Sequence, residues 1–221
     1  MELYIVRHGK TEWNKERRLQ GSVDIALADE GRALAEVSSE NMKGITFDRI
    51  YSSPLSRAYE TARILRRDRD IPIITDDRLK ELCFGDAEGR PFPELYADES
   101  CYFRYFFDQP ELYRPIGHGE SLEELCDRAA AFMKEIILPL EDSCTRVMIV
   151  AHGAINKGLM MYVKNQNGRQ QAMKDFWSGG LQRNLGVIQL ELQSQQFHII
   201  DENRVFYPTN NQETVNPYTN K

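Results

Sequence analysis

Five apolar residues in unbroken succession, Val147-Met148-Ile149-Val150-Ala151, do most to limit what this chain can fold into. Successive side chains of a strand point to opposite faces, so a strand with no polar residue has no face to give to water. It must lie in a sheet covered on both sides, the arrangement of parallel sheets flanked by helices. The surrounding sequence supplies both kinds of element. Strand signals at 3–8, 49–53, 71–75, 146–152, 186–192 and 197–201 alternate with helical patterns at 29–43, 54–67, 121–138 and 154–163. The expected fold is α/β: a three-layer αβα arrangement with a mostly parallel central sheet of about six strands. The last two strands, joined by Gln193-Ser194-Gln195-Gln196, read as an antiparallel edge hairpin.

Local signals refine the boundaries. Ser121-Leu122-Glu123-Glu124 is a capping-box pattern opening a helix whose Leu125, Ala129, Phe132, Met133 and Ile136 recur at helical spacing. Ser53 before Pro54 reads as an N-cap with proline at the first helical position. Residues 90–120 are rich in Tyr and Phe and poor in strand alternation. They are expected to form a helical insertion that serves as a lid over the site, its rings either facing a ligand or packing as its own core. One domain over 1–207 is expected, followed by a polar tail at 208–221 that reads as disordered.

Bulk properties exclude several classes. No run approaches the roughly 20 apolar residues of a membrane helix, and the net charge of −6 argues against a general nucleic-acid surface. Cys83, Cys101, Cys126 and Cys144 are scattered without a C-x-x-C pair, as expected for reduced thiols rather than a zinc site. No basic stretch precedes an apolar one at the N-terminus. A cytoplasmic location is expected.

Against that acidic background, cationic and imidazole groups gather at strand ends. The first strand ends in Arg7-His8-Gly9, the second runs into a helix bearing Arg57, and the fourth ends in His152-Gly153. Ligands of open α/β sheets bind outside the carboxyl ends of strands, so these pieces can converge. Helix N-termini there present N–H groups suited to phosphate. Two Arg and two His around one point make an anion cage rather than a metal site. A neutral imidazole can attack phosphorus while a fixed guanidinium holds the phosphoryl oxygens.

The chain resembles the histidine phosphatase superfamily in its phosphoglycerate-mutase-like branch. The resemblance rests on residues 7–14 (RHGKTEWN), Leu19-Gln20-Gly21, residues 52–58 (SSPLSRA), Glu81 within residues 80–85 (KELCFG), Gly119-Glu120-Ser121 and Ala151-His152-Gly153. It implies that His8 is the nucleophile that becomes phosphorylated. Arg7, Arg57 and His152 would hold the phosphoryl oxygens, and Glu81 would act as general acid and then base. Asn14, Gln20, Gly21, Gly153, Thr11 and Asn184 would complete the substrate shell. No cofactor or metal is implied. The partner would be a small phosphorylated metabolite, and the hairpin edge leaves pairing into a homodimer open.

The same chemistry serves a phosphatase, a bisphosphoglycerate-dependent phosphoglycerate mutase, or a binding module that has lost turnover. Family mutases usually carry Ser where Thr11 stands, and an Arg-Arg pair in a long insertion after the acid. Residues 82–89 (LCFGDAEG) are short and lack that pair, which favours water as acceptor. Ala87 replaces a frequent Trp, implying a more open wall. His118 is expected to face solvent and Lys10 to lie on the surface.

Overall fold

Alternation along the apolar runs sets the layers of the molecule. The computed structural model describes residues 1–166 and 172–209. Its strands are β1 (Glu2–Arg7), β2 (Arg49–Ser52), β3 (Ile73–Thr75), β4 (Arg146–Ala151), β5 (Val187–Gln193) and β6 (Gln196–Arg204), in one sheet ordered β3-β2-β4-β1-β5-β6. β1 pairs in parallel with β4, as β2 does with β3 and with β4, while β5 runs antiparallel to both β1 and β6. β4, apolar from Val147 to Ala151, is thus central, and the β5–β6 hairpin forms one edge.

Odd and even residues of the central strands divide between two cores. Leu3, Ile5, Val147, Ile149 and Ala151 pack with helices α5 (Leu122–Phe132) and α6 (Gly153–Gln166). Tyr4, Val6, Met148 and Val150 pack on the other face with Ala58, Ala62 and Leu65 of α3 (Ser56–Arg66). Helix α2 (Asp29–Asn41) lies against α3. The remaining α-helices are the short α1 (Glu12–Lys15) and α4 (Phe92–Ala97).

Helix starts show how far local signals reach. Ser121 caps α5 as its sequence indicates: its hydroxyl accepts from Glu124 N, and the Glu124 carboxylate accepts from Ser121 N. Ser53 does not cap α3. That helix begins at Ser56, and the Asp24 carboxylate accepts from both Ser56 N and Ser56 Oγ at 2.7 Å. Ser53 Oγ accepts from Leu55 N at 3.3 Å, just ahead of the helix, and is bonded to a histidine ring at 2.8 Å. A side chain thirty-two positions upstream thus supplies the acceptor at the helix start.

Between β3 and α5, residues 92–113 hold α4 and two single 3₁₀ turns, Tyr102–Tyr105 and Pro110–Leu112. Phe103, Phe106 and Tyr113 are buried, with Phe103 stacked on Phe106 at 5.4 Å and Phe106 edge-on to Tyr113 at 5.1 Å. Most of the tail expected at 208–221 lies outside the described residues. No helix among those described is long and apolar enough to cross a membrane.

Candidate active site

β1 delivers His8 to the carboxyl edge of the sheet, and its backbone is held from every side. His8 N donates to Ala151 O, Arg7 N donates to Gly186 O, and Arg7 O accepts from Leu185 N. Asn184 Nδ2 donates to His8 O at 2.9 Å, and Gly9 N donates to Thr61 Oγ1 at 3.1 Å. The ring of His8 is buried, with Nδ1 2.7 Å from Gly9 O. A carbonyl only accepts, so Nδ1 carries the hydrogen and Nε2 keeps its lone pair. Burial, then the Arg57 and Arg7 guanidinium groups, hold its pKa well below the usual histidine range. A neutral imidazole with a free Nε2 is the nucleophilic form.

His152 lies 5.0 Å away, ring centroid to centroid. Its Nδ1 accepts from Arg57 Nε at 3.2 Å, so Nε2 bears the hydrogen and donates to Ser53 Oγ at 2.8 Å. Burial, reinforced by Arg57, lowers its pKa in the same way. Arg57 itself is fully buried and gripped by main-chain carbonyls, NH1 on Val23 O and NH2 on Gly21 O. Burial lowers its pKa to about 10, so it remains a cation at neutral pH. Gln20, with its oxygen turned to the guanidinium, accepts from Arg57 Nε at 2.7 Å and donates to Thr11 Oγ1 at 2.5 Å.

Glu81 occupies the N-terminus of α6. Its Oε1 accepts from Leu82 N, Ala154 N and Ile155 N at 2.9, 3.1 and 3.1 Å, and Oε2 also accepts from Ala154 N. The helix-end donors expected for a phosphate are here taken by a carboxylate, which the helix dipole favours equally. Arg7 donates through NH1 to Gln182 O at 2.5 Å, while its buried Nε has no hydrogen-bond partner. A buried donor without an acceptor is costly. An anion seated beside Arg7 would satisfy it.

These groups face a cleft of about 440 Å³. Arg7, His8, Asn14, Gln20, Glu81 and Gly153 line it, while the walls are Leu19, Phe84, Phe92, Phe106, Phe107, Trp177 and Leu181, with Arg18 also contributing. The structure does not place every expected residue on that wall. Arg57 and His152 sit behind it, fully buried. Thr11 caps α1 through Asn14 N and bonds Gln20; Gly21 supplies a carbonyl to Arg57, where a Cβ would strike Glu88 and Leu82 O; Asn184 positions the backbone of His8. These three support the site from outside the cleft lining. The insertion's rings divide their work: Phe106 and Phe107 reach the cleft, and Phe103 and Tyr113 remain in the core. His118 is exposed beside Asp86, and Lys10 pairs with Glu30 at the surface.

Sequence reasoning missed Ser53, Gln182 and Glu88. The Glu88 carboxylate accepts from Phe84 N, Ser22 N, Ser22 Oγ and Val23 N, tying the segment that holds Arg57 to the loop after Glu81. Glycines flanking an acidic residue, Gly85 and Gly89, were the one available signal.

Neutral burial of two histidines has a measurable consequence. Both folded-state pKa values lie below the unfolded value near 6.5. Below that pH the unfolded chain binds protons that the folded chain refuses, so stability must fall as pH falls. The pair contributes a slope approaching ~2.7 kcal/mol per pH unit. Urea unfolding from pH 7 to 5 should show this loss, and a His8→Asn/His152→Asn double variant should lose less. Equal pH slopes in the two proteins would refute it.

Comparison with known proteins gives consistent matches. The family model described as histidine phosphatase superfamily (branch 1) matches residues 3–204. "Uncharacterized phosphatase PhoE" of Bacillus subtilis strain 168 is 34% identical over 170 residues, 77% of this chain and 81% of that protein. "Probable phosphoglycerate mutase GpmB" of Proteus mirabilis is 36% identical over 153 residues, 69% of this chain and 70% of that protein. Among solved structures, YhfR of Bacillus stearothermophilus superposes with a TM-score of 0.82 at 33% identity, covering 92% of this chain and 97% of that one.

Proposed function

Since this chain belongs to the histidine phosphatase superfamily, branch 1, we propose that it hydrolyses a small phosphomonoester through a phosphohistidine on His8. The observation that carries this reading is the pairing of a neutral His8, Nε2 unprotonated, with the partnerless Nε of Arg7 at one cleft. His8 Nε2 attacks phosphorus, forming a P–N bond as the P–O bond to the leaving group breaks. Arg7 and Arg57 stabilise charge on the phosphoryl oxygens. His152, tied to Arg57, supports the same cage. Glu81 protonates the leaving oxygen, then removes a proton from the water that attacks the phosphohistidine and releases inorganic phosphate.

Water is the favoured acceptor. Thr11 Oγ1 is engaged with Gln20 and Asn14 N, and among the described residues Arg18 is the one cation on the wall beyond Arg7, paired with Glu16 at 2.7 Å. A mutase would need further cations to hold a substrate carboxylate. The likeness to GpmB keeps the mutase as the second reading; interconversion of 2- and 3-phosphoglycerate outrunning hydrolysis of either would establish it. Tight phosphate binding without a phosphoenzyme would instead show a binding module. Turnover of an aryl phosphate in excess chelator tests the hydrolase directly. Residues 90–120 act as the lid in this reading, and the four unpaired thiols fit a reducing, cytoplasmic setting.

The walls also sort substrates. Trp177 Nε1 already donates to Phe106 O, so the aromatic side of the cleft offers little hydrogen bonding to a hydroxyl-rich body. Desolvating such a body there costs free energy without return. Benzyl phosphate should exceed ribose 5-phosphate in kcat/KM by at least about tenfold, both having alkyl leaving groups. Parity, or the reverse order, would contradict the aromatic-wall assignment.

A further inference from the structure

Ser121 of the Gly119-Glu120-Ser121 stretch caps α5, while Glu120 pairs with Arg128 on that helix. Arg128 Nε donates to Glu120 Oε1 at 2.6 Å, and NH2 donates to Oε2 at 2.9 Å. A guanidinium carries five N–H donors in one fixed plane. The other three go to main-chain carbonyls: NH1 to Arg78 O and Lys80 O at 2.6 and 2.7 Å, and NH2 to Glu81 O at 3.3 Å. Glu120 extends the hold past the acid. Its Oε2 accepts from Cys83 N at 3.3 Å, and its own N donates to Cys83 O at 2.7 Å. Leu79 and Leu82, fully buried, anchor the same segment in the core. One ion pair outside the cleft lining thus fixes the main chain on both sides of Glu81.

The same helix locates the seat of the acid. Ala129, next to Arg128, packs on Gly158 of α6, where a Cβ would come within 3.2 Å of Ala129 Cβ. Helix α5 therefore holds both the backbone of Glu81 and the helix whose N–H groups receive its carboxylate. Side-chain exposures of 19% and 17% shield the pair from much of the screening that weakens surface ion pairs. We propose that Arg128 and Glu120 are positioning residues for proton transfer, setting the distance between the Glu81 carboxyl and the leaving oxygen without touching substrate. A reacting group misplaced by about 1 Å can lose on the order of 10²-fold in rate. The proposal rests on Glu81 being the general acid.

Benzyl phosphate needs a proton for its leaving group and 4-nitrophenyl phosphate does not, so the ratio of their kcat values reads the acid alone. Arg128→Lys keeps a charge opposite Glu120 but loses the planar fork that reaches three carbonyls. It should slow benzyl phosphate by at least about tenfold and 4-nitrophenyl phosphate by less than about threefold. Vanadate inhibition should stay within about threefold of wild type, because the clamp bonds residues 78–83 and not the anion cage. In a Glu81→Gln background, Arg128→Lys should slow benzyl phosphate by less than about twofold more, since the group being positioned is gone. Glu120→Gln, which keeps the shape, should lower the ratio in the same direction, and it carries the test should Arg128→Lys not fold. Equal slowing of both substrates by the clamp variants, or the full Arg128→Lys loss recurring in Glu81→Gln, would overturn the proposal and leave the phosphohistidine reading intact. Equal slowing by Glu81→Gln itself would instead remove the acid role, and the proposal with it.

Discussion

Replacing His8 with alanine should lower turnover of every phosphomonoester by at least about four orders of magnitude, because no second group can form the covalent intermediate. His152, the only other imidazole at the site, is fully buried with both ring nitrogens engaged by Arg57 and Ser53. The substitution should leave the fold intact, since the backbone of His8 is fixed by Ala151 O and Asn184. It should also remove an acid-labile, base-stable phosphoprotein that the wild type forms when mixed with substrate and quenched rapidly. Full turnover by His8→Ala would end the phosphohistidine mechanism for this chain.

Glu81→Gln should slow benzyl phosphate by roughly 10²- to 10⁴-fold, the usual contribution of a positioned acid. It should slow 4-nitrophenyl phosphate far less, because nitrophenolate leaves without a proton. Glutamine retains an oxygen for Ala154 N and Ile155 N, so the helix start keeps its acceptor. The ratio of the two rates is the informative quantity. Equal slowing would mean that Glu81 organises α6 and transfers no proton.

Elements whose signal is local were legible in the sequence. The apolar run of β4 demanded coverage on both faces, and the alternate packing of Met148 and Ile149 into separate cores supplies it. Ser121 and Glu124 close their capping box within a single turn. Ser53 misled because the helix starts three residues later, where Asp24 binds Ser56 N, and the Ser53 hydroxyl is shared between Leu55 N and the His152 ring. Glu81 was assigned by resemblance to a family, but its seat on the α6 N–H groups joins residues 81 and 154, a contact that no periodicity encodes. Thr11, Gly21 and Asn184 look alike in sequence to residues that touch ligand. What separates them is which neighbour claims their polar atoms, and that is decided only when distant loops meet.

The position of β1 has a consequence for how the molecule forms. Leu3 pairs with Val147 on one side and Leu190 on the other, and the N-terminal amine donates to Leu192 O. The segment bearing His8 is synthesised before its partners, Leu3 lying 144 residues ahead of Val147 and 187 ahead of Leu190. At 5–20 residues per second, roughly 10–40 s separate them. During that wait the apolar Leu3–Val6 has no sheet to enter, and closure over so long a span is entropically slow. The nascent chain is therefore expected to depend on chaperones, and shortening it before β5 should yield insoluble protein rather than a weakened enzyme.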